Sequence, residues 1–223
     1  LRDQNAAPTR ASHVLEALTF FDANFRFRKT SFRAFLAPRV QGAAHSMYLE
    51  KRKLKQAPQL TVAAVRTLEI ICTSNTNLLR TAVSGALLFC VFASARWSDF
   101  TRLEHIWVDK FEELVLVEAE SAKHKTSKSK EDKTRLLPFT ALGRFDSDDA
   151  WGESFVNALN EIKETTGKPF LPSWNDRAGT WAVSPMTTAE ASLFLKEFLE
   201  PALGQEAVAQ FSSHSCKPTV LTW

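Results

Sequence analysis

The stretch LLRTAVSGALLFCVFASARWSD, residues 78–99, decides how this chain folds. Residues 78–95 are almost entirely apolar or small, which predicts a helix buried on every side. The run is too short to span a bilayer, since spanning needs about 20 apolar residues. We therefore expect a core helix that starts after the polar residue Asn77 and is closed by residues 96–99.

One further helix is predicted on each side of this core helix. Upstream, apolar residues recur at helical spacing over residues 62–72, and Thr61 is suited to be the N-cap. Downstream, an amphipathic helix should follow the acidic stretch 146–149 and end near Gly167, because glycine favours a left-handed cap.

Two more helices are expected towards the carboxyl end. Thr187 and Glu190 match a capping box, and the apolar face that follows them runs up to Pro201. The last helix should begin near His214. Pro218 fits its first turn, where the missing N–H would have had no partner in any case.

Three segments between these helices are rich in β-forming residues, namely 105–109, 114–118 and 135–139. They predict a small antiparallel sheet, with the lysine-rich stretch 123–130 in its connecting loop. Together with the helices, this sheet indicates an α+β fold that is mainly α.

Charge is distributed unevenly along the 223 residues, although the net charge is only +3. A local cationic surface matters more than the total for binding a polyanion. One basic cluster covers residues 123–135, and another lies within residues 23–57, where Glu50 is the one acid among Arg26, Arg28, Lys29, Arg33, Arg39, Lys51, Arg52, Lys53 and Lys55.

A domain boundary is predicted at residues 56–60, because Pro58 disfavours helix at the residue before it. Residues 1–57 are then a helical basic segment and residues 58–223 a larger domain. The three cysteines are Cys72, Cys90 and Cys216, an odd and widely spaced set that predicts neither a disulfide framework nor a zinc site, and that favours a reducing, intracellular setting. We expect no metal and no cofactor, since the sequence lacks a glycine-rich phosphate loop and the common hydrolase motifs.

Three cationic motifs are the candidates for chemistry. Arg96 opens RWSD, a lysine lies in the predicted hairpin loop, and His214 and Lys217 bracket HSCK near the carboxyl end. Cations held around one phosphate stabilise the negative charge that develops when a phosphodiester is attacked. Arginine is favoured for this because its planar fork bonds two oxygens at once.

This order of arginine, hairpin lysine and His-x-x-basic pair resembles the catalytic domain of the tyrosine recombinases, also called phage-type integrases. The resemblance implies that Arg96 and His214 bind the scissile phosphate and that a hairpin lysine protonates the leaving 5′ oxygen. Lys125 is the first choice for that lysine and Lys123 the second; Lys123, Lys128 and Lys130 are expected to contact DNA phosphates. Lys217 stands where the family usually has arginine.

The family's nucleophilic tyrosine lies downstream of the His-x-x-Arg motif, whereas the single tyrosine here is Tyr48 and the sequence ends at Trp223. The resemblance therefore implies a truncated recombinase that binds duplex DNA, self-associates on it and acts in the nucleus, in the manner of a divergent eukaryotic mobile element. A catalytically decayed DNA-binding module is the alternative, and a helical interaction protein without a DNA role is the third interpretation.

Overall fold

A computed structural model describes residues 10–25, 37–49, 57–74, 77–121, 137–167 and 171–223. The chain divides into two units, Leu1–Gln56 and Ala57–Trp223. The first unit contains helices α1 (Arg10–Phe25) and α2 (Pro38–Leu49), which pack against each other. All the elements below belong to the second unit.

In the second unit, most helices pack around one buried helix. The longer helices of this unit are α3 (Val62–Thr73), α4 (Leu78–Phe92), α6 (Trp151–Thr166) and α7 (Thr188–Leu203). Its short ones are α5 (Trp97–Phe100), α8 (Gln205–Val208) and α9 (Cys216–Thr222), with a 3-10 turn at Ser213–Ser215. Within the described part of the chain, no helix combines the length and apolar content needed to cross a membrane.

Helix α4 is the centre of the core, as its sequence predicted. All residues 81–91 are buried, and α3, α6, α7 and α9 pack around them. Gly85 allows the closest of these contacts, because a Cβ atom there would lie 2.4 Å from the ring of Phe155 on α6. Any larger residue at this position would push the two helices apart.

The helix ends confirm the predicted caps. Side chains of Thr61 and Asn77 accept hydrogen bonds from backbone N–H groups three residues further on, at 3.2 and 3.1 Å. Gly167 ends α6 in the left-handed conformation, with φ 66°. Thr187 and Glu190 form both bonds of the capping box. The apolar face predicted up to Pro201 lies within α7, which continues past this proline to Leu203.

The predicted antiparallel sheet is present, which confirms a mainly helical α+β fold. Strands β1 (Leu103–Phe111), β2 (Leu114–Ser121) and β3 (Leu137–Leu142) lie in that order. The central strand, β2, pairs Glu118 with Trp107 on one side and with Thr140 on the other. Alternate residues of β2 are buried beneath the sheet, so one of its faces belongs to the core.

A second hairpin was not predicted. Strands β4 (Pro172–Asn175) and β5 (Thr180–Pro185) pair with each other, and the rings of Trp174 and Trp181 meet edge to face at 5.0 Å. Gly179 permits the connecting turn with φ 62°. The hairpin leads directly into the amino end of α7.

Candidate functional site

Arg96 begins a helix instead of closing one. Helix α4 ends at Phe92, the chain turns through Ser94 with φ 48°, and Arg96 then serves as the N-cap of α5. The sequence prediction that residues 96–99 close the long helix is therefore wrong, because the left-handed Ser94 separates two helices.

Asp99 fixes the backbone of Arg96 without covering its side chain. Asp99 is 8% exposed, and its carboxylate accepts a hydrogen bond from the Arg96 N–H at 3.2 Å. The guanidinium nitrogen Nη1 of Arg96 lies 4.0 Å from the same oxygen, and the arginine side chain stays 46% exposed. A long ion pair of this kind leaves the guanidinium able to bind an anion from solvent.

Trp97 attaches α5 to the start of α7. Its ring is buried against Phe100, with centroids 5.2 Å apart. Its indole N–H donates to the carbonyl of Met186 at 2.9 Å. Met186 lies two residues before α7 begins, so residues 96–100, the Arg96 segment, are held at the amino end of that helix.

His214 lies in the 3-10 turn directly before α9, close to the predicted start of the last helix. Its side chain is exposed, while Ser213 and Ser215 on either side are buried. The Ser213 N–H donates to the hydroxyl of Ser192 at 3.0 Å, and the Ser213 hydroxyl lies 3.3 Å from the carbonyl of Thr188. Residues 212–217, the His214 segment, are thus also held at the amino end of α7.

Lys217 is the second residue of α9 and is half-buried. Thr219 in the same helix donates to the carbonyl of Ser215 at 2.7 Å and accepts from the N–H of Leu60 at 3.0 Å. Pro218 lies in the first turn, as predicted. Helix α9 is therefore attached both to the 3-10 turn and to the chain that enters α3.

Helices of the two segments, α5 and α9, also pack against the same helix, α4. Burial raises the pKa of the Cys90 thiol well above its usual range, and nearby Cys216 and Asp99 raise it further. Cys216 lies between His214 and Lys217 in sequence, and Asp99 belongs to the Arg96 segment. Two of the predicted motifs, far apart in sequence, therefore pack against the same helix.

The third motif lies outside the described residues. This applies to all four lysines assigned to catalysis or DNA contact, namely Lys123, Lys125, Lys128 and Lys130. The segment that carries them follows Ser121 and precedes Leu137, which are paired across β2 and β3. Ser121 donates through its hydroxyl to the carbonyl of Arg102 at 3.2 Å. Both ends of the segment therefore lie next to the residues that follow α5.

Sequence reasoning did not assign a role to the side chains that anchor the two segments. Trp97 lies inside the RWSD motif, and the one available signal was a large aromatic residue beside a charged one. Ser192 and Ser213 gave no signal, because serine is common on any helix surface. Tyr48 lies in α2 of the first unit.

Comparison with models of protein families gives no match for this chain, and comparison with curated proteins gives no significant match. Among the residues that the structure describes, no group of three or more His, Cys, Asp or Glu side chains could hold a metal ion. Among the described residues, the cationic candidates are Arg96, His214 and Lys217.

Proposed function

We propose that the second unit is the catalytic domain of a tyrosine-type DNA recombinase, in which Arg96, His214 and Lys217 bind one phosphodiester of duplex DNA. The observation that carries the proposal is the shared attachment of the Arg96 and His214 segments. Trp97 bonds to Met186 before α7, and Ser213 bonds to Thr188 and Ser192 within its first turns. A nuclear location and self-association on DNA belong to the same proposal.

The proposed chemistry needs no metal or high-energy cofactor. A tyrosine hydroxyl attacks the phosphorus and gives up its proton, the new bond forms between phosphorus and the tyrosine oxygen, and the bond to the 5′ oxygen breaks. The 5′ oxygen gains one proton as it leaves, so the step consumes no proton overall. Cations at the non-bridging oxygens stabilise the charge that builds up in the transition state. Residues 218–223 contain no tyrosine, so the proposal assigns DNA binding to this chain and cleavage to a polypeptide that also carries the nucleophile.

Lys125 is proposed as the general acid that gives its proton to the leaving 5′ oxygen, with Lys123 as the second candidate. Lys125 follows Ser121 by four residues, a path of at most about 14 Å of extended chain. Ser121 bonds to Arg102 next to α5, so this path begins beside the Arg96 segment. Lys128 and Lys130 are proposed to contact flanking phosphates.

Lys217 supports a second candidate function, a DNA-binding module that has lost catalysis. Lysine keeps the positive charge of the arginine usual in the family but cannot form the two-pronged contact with two phosphate oxygens. Loss of that contact would weaken the stabilisation of the transition state more than it weakens binding of DNA.

The test of binding is a salt titration with a fluorescent duplex. The affinity should fall steeply with salt, and Arg96→Ala should reduce the slope of log K against log salt by about 0.9, the value for one phosphate contact. Lys110→Ala is the matched control: Lys110 pairs with Glu153 near the β1–β2 turn, at the opposite end of the sheet from Ser121. Lack of duplex binding at low salt would refute both DNA functions.

The test of cleavage uses a nicked duplex and the polypeptide extended to include the tyrosine. A covalent adduct should accumulate, and Arg96→Ala should abolish it while most duplex binding remains. Binding without any adduct from the unmodified polypeptide would support the decayed module. Normal adduct formation by Arg96→Ala would refute the role of Arg96.

A further inference from the structure

Ser192 on α7 lies at the centre of the contacts that hold the His214 segment. Its hydroxyl accepts from the Ser213 N–H at 3.0 Å and donates to the carbonyl of Thr188 at 2.8 Å. The Ser213 hydroxyl is also within 3.1 Å of it. The Ser192 side chain thus contacts both the backbone N–H and the hydroxyl of Ser213.

We propose that Ser192 is a positioning residue that acts through Ser213 to set where the His214 imidazole meets the phosphate. This inference rests on the proposed function and adds a residue that neither the motif pattern nor direct contact with DNA would identify. Ser192 is separated from His214 by an entire helix and a loop in sequence, and α7 carries it to the turn.

Burial explains why this hydroxyl matters. Ser213 is 2% exposed, so its N–H cannot turn to water if the hydroxyl of Ser192 is removed. A buried N–H without an acceptor is unfavourable, and the turn would move to relieve it. His214 is the next residue, in a turn of three, so a shift at Ser213 moves the imidazole directly.

A small shift of the His214 imidazole would affect binding because a contact with a phosphate tolerates little displacement of the donor. Contacts to a phosphate require donors placed within about 0.5 Å of their productive positions. His214 itself is exposed, and the atoms that fix its backbone are those of its buried neighbours. Ser215 is anchored within its own segment, where its hydroxyl accepts from the N–H of Ser212 at 3.2 Å. Ser192 therefore links the turn to α7 beside the contact of the Ser213 hydroxyl with the carbonyl of Thr188, and it is the acceptor of the Ser213 N–H.

The inference is tested by a double-mutant cycle on duplex affinity. Ser192→Ala should lower the affinity by about threefold to tenfold, the factor expected for one buried hydrogen bond. In a His214→Ala background the same substitution should have no further effect, because the group that it positions is gone. A general loosening of the fold would instead weaken binding equally in both backgrounds.

The matched control is Ser84→Ala on α4. Ser84 also donates to a carbonyl four residues earlier in its helix, at 2.6 Å, and its hydrogen bonds stay within α4 and do not involve residues 212–217. It should leave duplex affinity unchanged. Amide hydrogen exchange at residues 212–216 should accelerate in Ser192→Ala and stay unchanged in Ser84→Ala.

Three outcomes distinguish the possibilities. Normal affinity of Ser192→Ala, or equal losses in the presence and absence of His214, would overturn the role of Ser192 while the proposed function stands. No duplex binding by the unmodified chain would overturn the proposed function and the role of Ser192 together. A loss confined to chains that retain His214 would support both.

Discussion

The Arg96 segment and the His214 segment reach the same end of α7 through different kinds of contact. Trp97 and Phe100 bury aromatic rings in the core, and one indole hydrogen bond orients them. The His214 segment relies instead on hydroxyl groups, with Ser192 and Ser213 as the main pair. The first attachment contributes mainly to folding, whereas the second contributes mainly to orientation.

The largest effect should come from removing the aromatic attachment. Trp97→Ala deletes a side chain that is 3% exposed and should reduce the free energy of unfolding by about 3–5 kcal/mol. Urea unfolding followed by circular dichroism measures the change. A reduction below about 1 kcal/mol would contradict the view that this segment is part of the core.

A finer comparison isolates the hydrogen bond of Trp97. Trp97→Phe leaves the carbonyl of Met186 without its donor, whereas the buried indole N–H of Trp151 has no partner among the described residues. Trp151→Phe should therefore reduce stability less than Trp97→Phe. Equal losses would mean that the bond to Met186 contributes nothing measurable.

An intermediate effect is expected from the hydroxyl attachment. Ser213→Ala removes a buried hydroxyl from its partners on α7 and should lower the free energy of unfolding by about 1–2 kcal/mol. Thr222→Ala is the control, because its hydroxyl bonds within its own helix and is exposed. If Ser213→Ala lost as much stability as Trp97→Ala, the distinction between the two segments would fail.

The smallest effect concerns the end of α7 on which both segments depend. Burial alone would raise the pKa of Glu190, but hydrogen bonds from Thr187 and Ser173 lower it below 4.5. The carboxylate therefore stabilises the fold above about pH 4.5, and this contribution is lost as the pH falls through the lowered pKa. Its loss should amount to at most about 1 kcal/mol, the size of a helix cap.

The measurement for Glu190 is the free energy of unfolding at pH 6 and pH 3.5. Glu190→Gln should lose less stability than the unmodified chain between these values, since it has no carboxyl group to protonate. Glu164→Gln, an exposed change on α6, should follow the unmodified chain. Identical pH profiles for all three would show that the hydrogen bonds of Glu190 do not affect stability.

The helices and the main sheet were predictable because their signals are local. Thr61, Asn77 and Thr187 cap helices in the structure with the hydrogen bonds that their sequence positions suggest. Strands β2 and β3, which precede and follow the lysine-rich segment in sequence, were likewise predicted from their composition. In each case the residues that form the element also carry the pattern.

The structural features that could not be predicted from the sequence depend on contacts between distant residues or on single torsion angles. The left-handed φ of Ser94 moved Arg96 from the end of one helix to the start of the next. The hairpin of β4 and β5 combines short strands with prolines at their outer ends, so no alternation is long enough to read. The pairing of Ser192 with Ser213 joins two ordinary serines across 21 residues. The sequence selected Arg96 and His214 as candidate residues, but it did not indicate that their segments are attached to the same end of α7.

The buried thiols change what the cysteine content says about the protein's surroundings. Burial raises the pKa of Cys72 and of Cys216 to about 12, so at neutral pH these thiols stay protonated and are poor nucleophiles. Cys90 is fully buried as well. These sulfur atoms would resist alkylation and oxidation in air as well as in the presence of glutathione, so their number carries little information about the redox potential in which the folded protein works.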